Sequence, residues 1–324
     1  MINDGNINRS SRRQTKKAEF WKSVEDVLKK HNKTRVSGSV ASNATSQAKK
    51  KIIIQFLKKL KSLGFQLTTI HELKERHVIA IAKFWETQKY SPATIQTRMS
   101  VLRVLCNEWL KKPGMIKATE YYFSINFNVR RSQIAKEDKS WSGKNVNFDK
   151  ILDQVRQVDM HVAIALEVMC AFGLRRKEAL MFQPHLSDHG ILIKIIRGAK
   201  TGKKRAVPII TDYQKDVLVR TRLMIKPGES LADPNKSLKQ NLRRFDYIML
   251  KVGITKKVSG VTAHGLRFEF GQVGYLNLTG AEVPVKANSK LVDKAIDKQA
   301  RLEIAEELGH SRVEITNTYF GKKQ

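Results

Sequence analysis

The sequence predicts a mainly α, two-domain protein with one small β-sheet, a hairpin. Three observations lead there. The 324 residues suit two domains better than one. Between about 45 and 115, apolar residues recur at the i, i+3, i+4, i+7 spacing of a helix with one buried face. Farther on, the short apolar runs Ile191–Ile196 and Ala206–Ile210 flank a basic turn and read as two strands inside an otherwise helical region. The expected plan is a helical domain followed by an α+β domain.

Residues 1–40 form a basic N-terminal segment with room for one short helix around Phe20–Leu28. The small and polar stretch Ser37–Ser46 reads as a linker. The helical domain is placed at 41–130. Ile53, Phe56, Leu57 and Leu60 make its first apolar stripe, among Lys50, Lys51, Lys58, Lys59 and Lys61, and Gly64 ends that helix. A second helix is expected over Leu73–Thr87. Ser91-Pro92 supplies an N-cap followed by proline at the first helical position. Behind it Ile95, Met99, Leu102, Cys106 and Trp109 form a stripe that Lys112-Pro113-Gly114 stops.

Residues 131–147 are polar and charged and read as the interdomain linker, leaving 148–324 as the second domain. It opens with helices at Phe148–Val158 and His161–Phe172. The latter is apolar almost all round and so expected to be buried. The strands follow, joined by Ala199–Arg205, and the remainder is helical apart from a long polar stretch between Thr279 and Arg301.

Charge narrows the function classes. Lys plus Arg total 61 against 30 Asp plus Glu, a formal net charge of +31. Solubility needs far less. An excess spread over the whole chain implies a polyanion, because each cation that neutralises a phosphate releases a condensed counterion. Membrane binders usually confine such charge to a tail or one amphipathic helix. No stretch is apolar enough to span a bilayer, and the first residues lack the apolar middle of a signal peptide. Cys106 and Cys170 lie in apolar stretches and read as reduced, buried thiols, and no Cys/His cluster has zinc spacing. The expectation is a cytoplasmic protein with nucleic acid as partner, no membrane, no cofactor and no metal.

Four clusters have chemistry to offer. Gly173-Leu174-Arg175-Arg-Lys-Glu178 places an arginine directly after a buried segment, where its planar fork suits a phosphate, with Glu178 on the same face if the helix continues. Lys200 sits in the hairpin turn with Lys203 and Lys204. His264 and Arg267 stand at i and i+3. Last comes Leu308-Gly309-His310, nine residues before Tyr319, with Ser311 and Glu314 in the S-x-x-E pattern that would start a helix at Arg312. Singly, each has a bland explanation: a surface ion pair, a soluble turn, a packed histidine, an aromatic anchor. Together, in a strongly basic chain, they form an ordered set.

That set resembles the tyrosine recombinases of the phage-integrase type. The family carries Gly-Leu-Arg-x-x-Glu, a hairpin lysine, His-x-Leu-Arg, Leu-Gly-His and a tyrosine nine residues on, matched here by Arg175 and Glu178, Lys200, His264 and Arg267, His310, and Tyr319. The match spans about 45 to 320, with 41–130 as the core-binding domain and 148–324 as the catalytic domain. Two departures stand out. Phe268-Glu-Phe-Gly271 replaces the usual His-Thr-Phe-Ala, and the gap from Arg267 to His310 is longer by about twenty residues, as for an added surface loop or helix. Five residues follow Tyr319, where many relatives have a longer segment that docks on a neighbouring protomer.

The resemblance implies strand cleavage and rejoining through a 3′-phosphotyrosine at Tyr319. It gives Arg175, Arg267 and His310 to the phosphate and His264 to the proton or the clamp. Lys200 would serve as acid to the leaving oxygen, and Glu178 would orient the others. It further implies site-specific integration or excision of a mobile element, double-stranded DNA held partly by Lys50, Lys51, Arg98, Lys203 and Lys204, a homotetramer on paired sites, an accessory DNA-bending protein, and a place in the bacterial nucleoid. The neighbouring alternatives are a type IB topoisomerase, which shares the chemistry, and a non-catalytic DNA-binding protein on the same scaffold.

Overall fold

The computed structural model describes residues 4–33, 40–199, 204–286 and 290–322. The chain divides into two compact units, Met1–Ser132 and Gln133–Gln324.

In the first unit, helix α1 (Asp4–His31) is far longer than the expected short helix around Phe20–Leu28. Its last two turns bury Val24, Val27 and Leu28 in the unit's core, so this part of the basic segment is a packed element of the helical domain. Ser23 Oγ also accepts a bond from Ile70 N at 3.0 Å. Helix α2 (Asn43–Ser62) starts inside the stretch read as a linker, because Ser42 Oγ caps Thr45 N at 3.2 Å. It buries Ile53, Phe56, Leu57 and Leu60, and Gly64 follows it at φ +90°. Helices α3 (Glu75–Thr87) and α4 (Pro92–Arg103) pack against α2 and each other's neighbours, α4 beginning at the Ser91-Pro92 cap. The stripe from Ile95 to Trp109 is buried as expected, but its second half, Val104–Trp109, runs as a π-helix. The wider turn (Leu110 N to Leu105 O, 2.9 Å) lets Cys106 and Trp109 keep facing the core.

The second unit begins before the position expected. Residues 133–147 are not a free linker: Trp141 is buried in the second core and its Nε1 donates to Thr262 O at 2.9 Å, while Ser142 N donates to Glu269 Oε2 at 2.9 Å. Helix α5 (Phe148–Val158) leads through the Asp159 cap into α6 (Met160–Phe172), the apolar helix at the centre. Around α6 pack α5, α7 (Arg176–Leu180), α9 (Asp212–Met224) and α11 (Gly265–Thr279). Between α7 and α9 come the short α8 (Pro184–Ser187) and the antiparallel pair β1 (Leu192–Ile195) and β2 (Arg205–Pro208). Ile193 pairs with Val207 and Ile195 with Arg205, so one face of the hairpin turns Ile193, Ile195, Val207 and Arg205 inward. Helix α10 (Leu238–Lys251) precedes α11.

Among the described residues of the long polar stretch, 281–286 run irregularly and bury Val283, and α12 (Lys294–Glu307) packs on α11 and β2. The capping box expected at Ser311 does not form. Ser311 is exposed and bonds nothing at a helix start. Arg312 is extended, and the chain makes a 3₁₀ turn, Val313–Thr316, before the single-turn α13 (Asn317–Phe320). Among the described residues, no helix is long and apolar enough to cross a membrane.

Candidate active site

The site is assembled where α6 ends, α11 begins and α13 closes the chain. Gly173 ends α6 at φ +59°. A Cβ there would lie 2.6 Å from the Phe270 ring, so glycine is required for both conformation and space. The chain then turns, and Arg175 precedes α7 instead of continuing α6, contrary to the expectation that Arg175 and Glu178 share one helical face. The two still meet, because Glu178 caps the new helix. It accepts Arg175 N at 2.8 Å on Oε2 and Arg175 Nη1 at 2.7 Å on Oε1.

Arg267, in the first turn of α11, is wholly buried, at 0% exposure. Its Nη1 donates to Gly173 O at 2.6 Å, its Nη2 to Leu308 O, and its Nε to Tyr319 Oη at 3.3 Å. Burial lowers its pKa to about 10, so it stays cationic at neutral pH. Arg175 Nη2 reaches the same Leu308 carbonyl at a long 3.4 Å. Both arginines thus converge on the loop that carries His310, whose Nε2 lies 3.2 Å from Tyr319 Oη and 3.5 Å from Arg267 Nη2.

His264 stands just ahead of α11 and is exposed to solvent. The protein packed behind it, and then Arg267 and Arg175, lower its pKa to about 4, which leaves it neutral at pH 7. Its ring centre is 6.5 Å from that of Tyr319. Phe268, the departure from the family's usual histidine, packs its ring 4.6 Å from the Tyr319 ring and also meets His264 edge-on. A groove of about 580 Å³ opens beside this cluster; Arg175, Arg176, Lys177, Lys256 and His264 are among its lining residues, with Asp246 and an apolar floor that includes Phe245 and Met249.

Arg175, Glu178, His264, Arg267, His310 and Tyr319, drawn from positions 175 to 319, therefore lie together. Lys200 and Lys203 fall outside the described residues. Lys204 is exposed at the base of the hairpin. In the first unit Lys50 and Lys51 are exposed on α2, and the Arg98 guanidinium lies 4.5 Å from the Tyr90 ring and 5.4 Å from that of Trp85. Among the described residues, no group of three or more His, Cys, Asp or Glu side chains is placed to hold a metal ion.

Two arginines escaped sequence reasoning. Arg205 on β2 holds Glu178 by both oxygens, Nη1 to Oε1 at 2.9 Å and Nη2 to Oε2 at 2.8 Å. Its signal was present: it shares strand parity with the inward Val207. Arg301 on α12 bonds Asp297, then Asn317 Oδ1 at 3.1 Å and Gly321 O at 3.3 Å, on both sides of Tyr319. Nothing in the local pattern marks it. With four donors on its two oxygens, Glu178 is held ionised against its burial, at a pKa of about 2.

Comparison with known proteins places the chain in a family. A family model described as integrase matches residues 134–273, and one described as phage integrase, N-terminal, matches 26–111. Among curated proteins none matches. A lambda integrase dimer bound to a COC' core site shares the fold with a TM-score of 0.58 at 15% identity, over 91% of this chain and 76% of that one. A lambda integrase tetramer bound to a Holliday junction does so with 0.57 at 16%, over 93% and 80%. The Tn1549 transposon integrase, in complex with circular intermediate DNA, does so with 0.53 at 15%, over 93% and 96%. The integrase match stops at 273, so the meeting of His310 and Tyr319 with Arg267 is an independent observation of this structure. Sequence models over both units, the shared two-part fold and the ordered polar set agree: the chain belongs to the phage integrases, the tyrosine recombinase family of enzymes that break and rejoin DNA.

Proposed function

We propose that the protein cleaves and rejoins double-stranded DNA at specific sites by two transesterifications through Tyr319, in the integration or excision of a mobile element. One observation carries this reading: Tyr319 Oη lies within hydrogen-bond reach of both Arg267 Nε, at 3.3 Å, and His310 Nε2, at 3.2 Å. A phenol held between a buried guanidinium and an imidazole has both a charge partner and a proton partner.

In the first step Tyr319 Oη forms a bond to the scissile phosphorus and the bond from phosphorus to the 5′-oxygen breaks. A 3′-phosphotyrosine and a free 5′-hydroxyl result. Tyrosine is mostly protonated at pH 7, so its proton must leave. His310 is in contact, and His264 is neutral and one ring away. Arg175 faces the groove and holds a non-bridging oxygen directly. Arg267, buried with its nitrogens on Gly173 O, Leu308 O and Tyr319 Oη, joins the clamp with His310 only as the entering phosphate displaces one of these neutral partners. Their charge then meets the charge that grows in the pentavalent transition state. Lys200 gives its proton to the departing 5′-oxygen. Glu178 orients the arginines. The 5′-hydroxyl of a partner strand reverses the step, and the phosphotyrosine conserves the bond energy.

The +31 charge supports a DNA partner, with Lys50, Lys51, Arg98, Lys203 and Lys204 on the phosphates or bases. The solved relatives bound to DNA, one a tetramer on a Holliday junction and one a transposon integrase, support a homotetramer on paired sites and a mobile-element role. An accessory DNA-bending protein would complete the assembly.

The test is Tyr319→Phe with DNA flanking the native gene. The wild-type protein should leave a covalent adduct on a denaturing gel. The variant should retain the mobility shift on native gels and give no adduct. An adduct that survives the substitution overturns the nucleophile assignment.

A further inference from the structure

We propose that Arg205 is a positioning residue for the phosphate clamp: its two-point hold on Glu178 keeps Arg175 from closing onto that carboxylate and leaves the Arg175 guanidinium available to the scissile phosphate. This rests on the reading of the site given above.

Glu178 is fully buried between two arginines. Its oxygens receive four bonds, one from each Arg205 Nη, one from Arg175 Nη1 and one from Arg175 N. Two guanidinium groups and one carboxylate leave a net single positive charge. Arg205 cannot deliver that charge to DNA. Its side chain is 4% exposed, both Nη atoms are on Glu178, and Nε donates to Glu307 O at 2.7 Å. Arg175 can deliver it. Its side chain is 22% exposed, it lines the groove, and Nη2 holds Leu308 O only at 3.4 Å, a bond a phosphate oxygen would displace.

Without Arg205, a buried carboxylate faces one cation. A lone Arg–carboxylate pair prefers the parallel two-bond fork, and a buried carboxylate oxygen left without the two Arg205 donors makes that second bond more favourable. Arg175 would turn both Nη atoms onto Glu178 and away from the groove. Arg205 is itself fixed by the β1–β2 ladder and by Gly309. That residue has φ +66°, and a Cβ on it would stand 2.8 Å from Arg205 Cδ. The strand that follows the Lys200 segment thereby sets the position of the phosphate ligand.

The experiment measures single-turnover cleavage of two DNA duplexes that share the wild-type cleavage point. One carries the ordinary phosphodiester there and the other a neutral methylphosphonate, which needs less cationic help. Arg205→Met is expected to slow phosphodiester cleavage about 100-fold, as loss of a transition-state donor does. On methylphosphonate the loss should shrink below about tenfold, in parallel with Arg175→Ala. Adding Glu178→Gln removes the charge that captures Arg175, so the double variant should cleave the phosphodiester faster than Arg205→Met alone. An equal defect on both substrates, no defect, or no gain from the second substitution overturns the proposal. If Arg205→Met melts before assay, Arg205→Gln, which keeps one donor to Glu178 but not the charge, is read by the same substrate ratio and the same outcomes. Absence of any adduct from the wild-type protein on either DNA would instead overturn the reading of the site itself.

Discussion

Arg267 donates from Nε to the hydroxyl of Tyr319 while its other two nitrogens are tied to the carbonyls of Gly173 and Leu308. One guanidinium therefore joins the end of α6, the loop before His310 and the nucleophile candidate. Arg267→Ala should cost about 3 kcal/mol of folding stability, since it leaves buried carbonyls unpaired and opens a cavity. Arg175→Ala, whose loss leaves Glu178 with Arg205, should cost about 1 kcal/mol. Both should abolish cleavage. Denaturant unfolding beside an adduct assay separates the two: a variant at 267 as stable as one at 175 would contradict the structural role.

The acid limb of stability should carry the signature of His264. Its folded pKa of about 4 lies below its ordinary value of 6.5. As pH falls through 6.5 the unfolded chain takes up a proton that the folded chain refuses until about 4, so stability declines across that window. Glu178, held at about 2 against 4.5, adds a further decline below 4.5. His264→Gln should flatten the decline between pH 6.5 and 4 and leave the lower one. An unchanged pH–stability curve would be inconsistent with a neutral His264.

Glu307 works in the opposite sense. Burial and then Glu303 raise its pKa from 4.5 to about 7. The folded protein holds this proton where the unfolded chain has lost it, so its contribution is full below 4.5 and gone as pH rises through 7. Glu307→Gln should therefore stabilise the protein at pH 8 by about 1 kcal/mol and change little at pH 4.5. Melting curves at the two pH values decide it.

Trp141 should be as costly to remove as a central core residue. It is buried, bonds Thr262 O, and stands so close to Gly265 that a Cβ there would lie 2.7 Å from its ring. Trp141→Ala should destabilise the second unit by about 4 kcal/mol and disturb the start of α11, where His264 and Arg267 lie. Calorimetry of the two transitions would show whether the loss falls on the second unit.

The same residue shows what the sequence could and could not convey. Helices with a continuous stripe, such as Ile53 to Leu60, and the motif residues from Arg175 to Tyr319 were legible because the signal is local spacing or a known order. Trp141 sat in a polar run and looked like linker, since its partner is 121 positions away. Arg301 has no local mark, and Arg205 only the strand parity it shares with Val207, until tertiary contacts place carboxylates and carbonyls around them. The Ser311 capping box failed for a related reason. Backbone bonds from Ala135 N to Asn317 O, 2.8 Å, and from Val285 N to Phe320 O, 2.7 Å, fix the Tyr319 segment from outside, and this tertiary demand overrides the local cap.

Arg301 is the last of these anchors and gives the sharpest mutational contrast. Nε pairs with Asp297 at 2.9 Å, while Nη1 and Nη2 reach Asn317 and Gly321 on either side of Tyr319. The guanidinium also lies 5.4 Å from the Phe320 ring. A lysine could keep the ion pair but not the fork across α13. Arg301→Met should lose about 3 kcal/mol, since it strips the donors from Asn317 and Gly321 and leaves Asp297 with the Tyr275 hydroxyl but no cation, and Arg301→Lys about 1 kcal/mol. Cleavage should order them differently: because a displacement of about 1 Å at a reacting atom can cost 100-fold, both should fall steeply while DNA affinity holds. A lysine variant that cleaves like the wild type would show that α13 is held by its backbone contacts alone.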